Sequence, residues 1–152
     1  MNLLRQTTVK YGLLIWLLLG FYFLLIDSIG MADVAYLKIV NIVVVLFGVN
    51  LTLRHFARKG VSYGQLFVKG FSTAIIGIGL ALIGLVFYFE VLLGGVAISE
   101  YSTTIIPTAS LSQYVLALFA EGIASAVIAV FVLLQYWKNY AENKQKIVEQ
   151  NI

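Results

Sequence analysis

The stretch that decides the fold is GFSTAIIGIGLALIGLVFYF, residues 70–89, a run of twenty residues without a charge. A helix needs about 20 mostly apolar residues to cross the hydrocarbon core of a bilayer. Because lipid offers no hydrogen bonds to the backbone, a helix is the expected conformation. A membrane β-barrel strand would alternate apolar and polar residues, and this stretch does not. We therefore predict a membrane-spanning helix here, over residues 67–92.

Three other stretches have the same character, and we predict spans at 11–30, 34–53 and 112–137. Of the 152 residues, 61% are apolar and 11% are charged, against about 45–50% and about 25% in soluble domains. A soluble domain this short buries too small a fraction of its surface to hide so much apolar area. The prediction is an all-α membrane protein, a single domain of residues 1–152 that forms a four-transmembrane-helix bundle.

The fourth span could be placed at two positions. Residues 101–120 are also uncharged, but they contain Pro107 and many hydroxyl side chains. Residues 122–137 are far more apolar. We therefore predict an outer loop over 94–111 and a later span that contains Glu121.

The orientation follows from lysine and arginine, which are enriched on the cytoplasmic side of membrane proteins. Lys38 is an exception, and the other nine of the ten fall on one side: Arg5, Lys10, Arg54, Arg58, Lys59, Lys69, Lys138, Lys144 and Lys146. Four acidic residues fall on the other side: Asp27, Asp33, Glu90 and Glu100. Both termini (N-in/C-in), the loop 54–66 and the tail 138–152 are thus predicted to be cytoplasmic. A cleaved signal peptide ending near Gly30 is the alternative for the first span, but its apolar run exceeds the usual length of about 7–15 residues.

The third helix has a predicted start and a packing face. Ser62 and Gln65 have the spacing of a capping box, so the helix is expected to begin near Tyr63. A seam of small residues follows at spacings of 4, 3, 4 and 3: Gly70, Ala74, Gly77, Ala81 and Gly84. Small residues allow membrane helices to approach closely. We predict packing within the bundle, with a contact between subunits as the alternative, and we predict that the third and fourth helices form a close pair.

Three polar residues inside the predicted spans form a candidate intramembrane site: Glu121, Asn41 and Asn50. An ionisable residue within a span is a functional hypothesis by default. Glu121 would lie roughly 5 Å below the outer edge of the apolar core, or about 10 Å if that core starts near Tyr114. A carboxylate there can snorkel, bond a neighbouring helix or become protonated.

The composition argues against an enzyme. The chain has no cysteine and one histidine, His55. The missing cysteine excludes disulfides and thiolate catalysis, and His55 is expected at the surface of the basic loop. Paired carboxylates, histidine clusters and an activated nucleophile cannot be assembled from these residues. We predict no catalytic, cofactor or metal site, and the sequence has no nucleic-acid motif.

The run SYGQLFVKGF, residues 62–71, resembles the motif of an uncharacterised four-helix inner-membrane family of Bacteroidetes-type bacteria. The matching positions are the hydroxyl–aromatic–x–Gln start, Phe67, and Gly70–Phe71. The resemblance implies location and topology, and it implies no reaction.

Two functional hypotheses remain. The first is a non-catalytic accessory subunit or assembly factor, whose expected partners are the lipid bilayer and either further copies of the chain or a larger membrane complex. The second is a small oligomeric transporter of an ion or solute that uses Glu121.

Overall fold

The computed structural model describes residues 2–31, 37–94 and 110–150. These residues form four long helices, α1 (Asn2–Ser28), α2 (Lys38–Ala57), α3 (Tyr63–Phe87) and α4 (Leu111–Gln150), and a π-helical turn (Tyr88–Leu92) extends α3. Each helix contains a segment long and apolar enough to cross a membrane: Gln6–Ser28, Ile39–Ala57, Tyr63–Leu92 and Leu111–Tyr140. The predicted all-α fold with four long apolar helices is confirmed.

The predicted cytoplasmic segment 54–66 contains the ends of two helices. Helix α2 continues to Ala57 and α3 begins at Tyr63, so residues 58–62 lie between the helices. Arg54 and His55 occupy the last turn of α2. Basic side chains are favourable there because a helix has a partial negative charge at its C-terminus. Most of the predicted outer loop, with Glu100 and Pro107, lies outside the described residues, as does Asp33.

Two hydrogen bonds between helices define the topology. The Tyr88 hydroxyl donates to the Asp27 carboxylate, so α1 and α3 end on the same side of the bundle. The Trp137 indole N–H donates to the side-chain oxygen of Asn50 over 2.9 Å, near the opposite end. Successive helices are therefore antiparallel. Around the bundle the order is α1, α3, α4, α2, and α2 also packs against α3 across the centre.

The centre of the bundle is filled by apolar side chains from all four helices. The largest fully buried ones in this core are Ile15, Val49, Leu53, Phe56, Leu66, Val130 and Leu134. Large apolar side chains also cover the outside, among them Phe21 at 69% exposure and Ile128 at 63%. A soluble monomer rarely exposes so much contiguous apolar surface, whereas lipid solvates it.

The small-residue seam of α3 lies against α1 and α2. A Cβ atom added to Gly77 would lie 2.6 Å from the Cβ of Ile15 in α1, and one added to Gly70 would lie 3.0 Å from Leu53 in α2. Gly84 faces Trp16 of α1. The third and fourth helices do form a close pair, as predicted, with Gly122 of α4 packed on Ile78 of α3, but the seam itself is covered by α1 and α2. A heptad spacing defines a helix face, but it does not identify the helix that covers it.

The start of α3 is where it was predicted, but the predicted capping box is not formed. Ser62 is the N-cap residue and has an extended backbone, yet its side chain makes no capping hydrogen bond. Its carbonyl accepts from the Leu66 N–H over 2.9 Å. The side chains of Ser62 and Gln65 are both exposed. At an exposed helix end, water can satisfy the first N–H groups in place of the capping side chains.

Candidate functional site

The two ends of the bundle differ in charge. The end where α2 stops and α3 begins, called the basic end below, carries most of the described cations: Lys10, Arg54, Arg58, Lys59, Lys69 and Lys138. The opposite, acidic end carries Asp27 and Glu90. The charge segregation that the four-span reading required is therefore present in the folded chain. The two ends of the bundle therefore carry side chains of opposite charge.

Glu121 lies on α4 ten residues after its first residue, Leu111, and is partly buried. Seven residues earlier, Tyr114 is 5% exposed and packs edge-on against Phe89, with ring centres 6.2 Å apart. At 1.5 Å per residue, Glu121 lies about 10 Å further towards the basic end than this aromatic layer. The depth of Glu121 below the membrane surface stays a prediction, because it depends on where the apolar core begins.

Asn50 and Asn41 do not form one compact site. Asn50 accepts the hydrogen bond from Trp137, which links α2 to α4. Asn41 is partly buried nine residues earlier on α2, about 14 Å away along the helix axis. The amide of Asn50 therefore has a structural partner, and the three polar residues do not converge on a single point.

Four aromatic rings and one carboxylate pack together at the acidic end of the bundle. The rings of Phe23, Tyr88, Phe89 and Tyr114 meet at edge-to-face angles, with centres 5.5 to 6.4 Å apart. The carboxylate of Asp27 accepts from Tyr88 beside them. This pair was not predicted from the sequence. Asp27 and Tyr88 lie at the same end of their predicted spans, which is a sequence signal for a contact between them. The contact also requires α1 and α3 to be neighbours, and the sequence does not show this.

A second polar contact lies inside the bundle. Thr52 and Thr73 are fully buried, and their hydroxyl oxygens are 3.1 Å apart between α2 and α3. Each hydroxyl also lies within donating distance of a carbonyl in its own helix, Thr73 with Lys69 at 2.9 Å and Thr52 with Gly48 at 3.3 Å. Lys69 also places its ammonium 5.9 Å from the centre of the Phe56 ring. These contacts hold α2 against α3.

His55 is not at the surface as predicted. It is partly buried in the last turn of α2, where its ring meets Phe56 edge-on at 5.2 Å. Its Nε2 atom is buried without a hydrogen-bond partner among the described residues. Within the same residues, no group of three histidine, aspartate or glutamate side chains is placed to hold a metal ion.

An open groove runs between α3 and α4 at the acidic end. Its wall is mainly apolar, with Glu90 and two serines at the rim, and the residues that line it are Gly79, Leu82, Val86, Glu90, Ser110, Leu111, Ser112, Val115, Leu116 and Phe119. Gly79 has no heavy atom within 4 Å of the position where a Cβ would lie. The groove therefore has space for a further apolar group.

Comparisons of the chain with protein-family models, with curated proteins and with solved structures gave no match. The resemblance of residues 62–71 to the four-helix inner-membrane family therefore stays a prediction.

Proposed function

We propose that the protein is a multi-pass integral membrane protein of a bacterial inner membrane, with both termini and the turn at residues 58–62 in the cytoplasm. Two observations support this topology. Apolar side chains face outward on all four helices, and the lysines and arginines gather at one end of the bundle. Because cytoplasmic segments carry an excess of lysine and arginine, the basic end is the cytoplasmic one.

We propose further that it acts without catalysis, as an accessory subunit or assembly factor of a membrane complex. The observation that carries this proposal is the contrast between the filled interior and the open α3–α4 groove. The centre of the bundle is packed with apolar side chains such as Phe56 and Leu134. The groove instead leaves small residues accessible from the membrane side: Gly79, and on the adjacent surface of α4 the exposed Ala120 and Ala124. Small residues allow a second helix to approach closely in lipid.

The length of α4 adds support. Its apolar segment ends at Tyr140, but the helix continues to Gln150, about 15 Å further. This extension leaves the bundle at the basic end and provides a second surface for a partner. The groove and the extension lie at opposite ends of the bundle, so a partner that uses both must itself cross the membrane beside α4.

The experiment is affinity purification in mild detergent with two matched variants. Gly79→Leu fills the groove, whereas Gly20→Leu adds the same side chain to α1, where a Cβ also meets no heavy atom within 4 Å. We expect a stoichiometric partner, or a second copy of the chain, to co-purify with the Gly20→Leu variant and to be lost from Gly79→Leu. A chain that purifies alone, or one that retains its partner in both variants, contradicts the proposal.

Glu121 favours a second candidate, a small oligomeric transporter of an ion or solute. Its carboxylate lies within an apolar span, about 10 Å from the Tyr114 layer along the helix axis. Ionisable residues inside membrane spans mark transport paths in many proteins. The test compares Glu121→Gln with Glu90→Gln in liposomes, since Glu90 is exposed at the rim. Flux that falls only in Glu121→Gln supports transport. Flux that is absent from the native protein, or equal in both variants, contradicts it.

A further inference from the structure

We propose that the seam between α2 and α4 at the basic end binds one anionic phospholipid. Arg54 and Arg58 hold the headgroup phosphate, and the acyl chains lie along Val43 and Phe47. This site is separate from the α3–α4 groove and from Glu121, and it does not depend on the accessory or transport role.

The first argument is the arrangement of one face of α2. Val43, Phe47, Asn50, Arg54 and Arg58 follow one another at spacings of 4, 3, 4 and 4, which keeps them on one side of the helix. Val43 and Phe47 are 56% and 52% exposed, and both arginines are exposed. The helical backbone extends through Arg58, whose N–H bonds the Arg54 carbonyl. The face is therefore apolar over one half and cationic over the other.

The length of this face fits one lipid molecule. From Val43 to Arg58 is fifteen residues, or about 22 Å. Half of a bilayer, from its midplane through the headgroups, is also about 20–22 Å thick. A face of that length, apolar over one half and with two arginines in the other half, has the dimensions of a phospholipid in one leaflet.

The Trp137–Asn50 hydrogen bond marks the depth of the site. Tryptophan is enriched where the acyl chains meet the headgroups, and Trp137 is held to the middle of the α2 face over 2.9 Å. Arg54 lies one turn and Arg58 two turns beyond Asn50, about 6 and 12 Å towards the cytoplasmic end. The arginines are thus at the level of the phosphates, while Phe47 is at the level of the chains.

The charges near the site favour an anion. Among the residues whose side chains the structure describes, no ion pair involves Arg54 or Arg58, and Asp27 and Glu90 lie at the opposite end. Two further acidic residues, Glu142 and Glu149, follow Trp137 on α4, where Lys144 and Lys146 balance their charge. Glu121 is sixteen residues before Trp137 on α4, about 24 Å away. The planar guanidinium group of arginine matches phosphate oxygens with two parallel hydrogen bonds. Basic surfaces between transmembrane helices on the cytoplasmic side recognise anionic headgroups in this way.

The experiment uses Trp137 as the reporter in the full-length chain. Trp16→Phe leaves Trp137 as the only tryptophan, and its fluorescence is quenched by phospholipids with brominated acyl chains. The protein is placed in vesicles of phosphatidylcholine that contain either brominated phosphatidylglycerol or brominated phosphatidylcholine. We expect brominated phosphatidylglycerol to quench the fluorescence of Trp137 at a lower mole fraction than brominated phosphatidylcholine does. This preference should fall about fivefold for each arginine replaced in Arg54→Gln and Arg54→Gln/Arg58→Gln, because each cation contributes about 1 kcal/mol.

The control is Lys10→Gln, which removes an exposed cation of the basic end from α1 and should retain the preference. Equal quenching by the two lipids overturns the proposal. A loss of the phosphatidylglycerol preference in Lys10→Gln as large as that in the arginine variants also overturns it, because it would mean that the whole basic end attracts the lipid diffusely. Millimolar inorganic phosphate should leave the preference unchanged, and its loss would assign the arginines to a free anion. If the double variant does not fold, Arg58→Gln alone, at the end of the helix, provides the same comparison.

Discussion

The packing of α1 on α3 makes a sharp prediction at Gly77. In Gly77→Ala the added methyl carbon would lie 2.6 Å from the Cβ of Ile15 and 3.0 Å from the carbonyl oxygen of Gly12. Carbon atoms pack at about 3.5–4.0 Å, so α1 and α3 must move apart by about 1 Å. The Gly12 carbonyl is backbone and cannot move independently of the helix. Overpacking of this kind costs about 1–3 kcal/mol.

The matched control is Gly79→Ala, two residues further along the same helix, where a Cβ meets no heavy atom within 4 Å. Alanine is a better helix former than glycine by up to about 1 kcal/mol, and this gain applies to both variants. Gly79→Ala should therefore be as stable as the native protein or slightly more stable, and Gly77→Ala should be less stable than Gly79→Ala by about 1–3 kcal/mol. The free energy of unfolding is measured in detergent micelles by titration with SDS. Equal stability of the two variants would refute the packing of Ile15 against the seam.

Two polar contacts between helices give further predictions. A double-mutant cycle of Asp27→Ala and Tyr88→Phe, followed by the same SDS titration, should give a coupling energy of about 1 kcal/mol, and additive effects would mean that the bond is not formed. Thr52→Val and Thr73→Val should each destabilise the bundle, because each removes the hydroxyl contact between α2 and α3 and leaves the other hydroxyl buried against a methyl group. The double variant should be closer to native stability than the sum of the single variants, since no buried hydroxyl then remains. A double variant at or below that sum contradicts the pairing.

The four helices could be predicted because their signal is carried by composition alone. Runs such as residues 70–89 have no charge over the thickness of a bilayer, and no partner is needed to recognise them. The start of α3 at Tyr63 was also predicted correctly, although the side-chain capping that suggested it is not formed. The N-cap position depends on the local backbone, whereas the capping bonds compete with water at an exposed end.

The contacts between helices could not be predicted in the same way. The seam through Gly77 identified a close-packing face of α3, but the residue that fills it, Ile15, belongs to a helix whose position depends on the whole bundle. The Asp27–Tyr88 and Thr52–Thr73 pairs require α1 and α2 to lie beside α3 at a given register. One sequence specifies the residues on each face, while the pairing of faces is a property of the packed molecule.

The most direct test of the proposed topology is to measure which end of the bundle faces the cytoplasm. Because the chain has no cysteine, single cysteines introduced as Lys59→Cys at the basic end and Glu90→Cys at the acidic end are the only thiols. Both positions are exposed, and a membrane-impermeant maleimide is applied to intact cells whose outer membrane has been made permeable. If the basic end is cytoplasmic, Glu90→Cys is labelled in these cells, whereas Lys59→Cys is labelled only after the inner membrane is opened. Labelling of Lys59→Cys in the intact cells, or of both variants together, would contradict it.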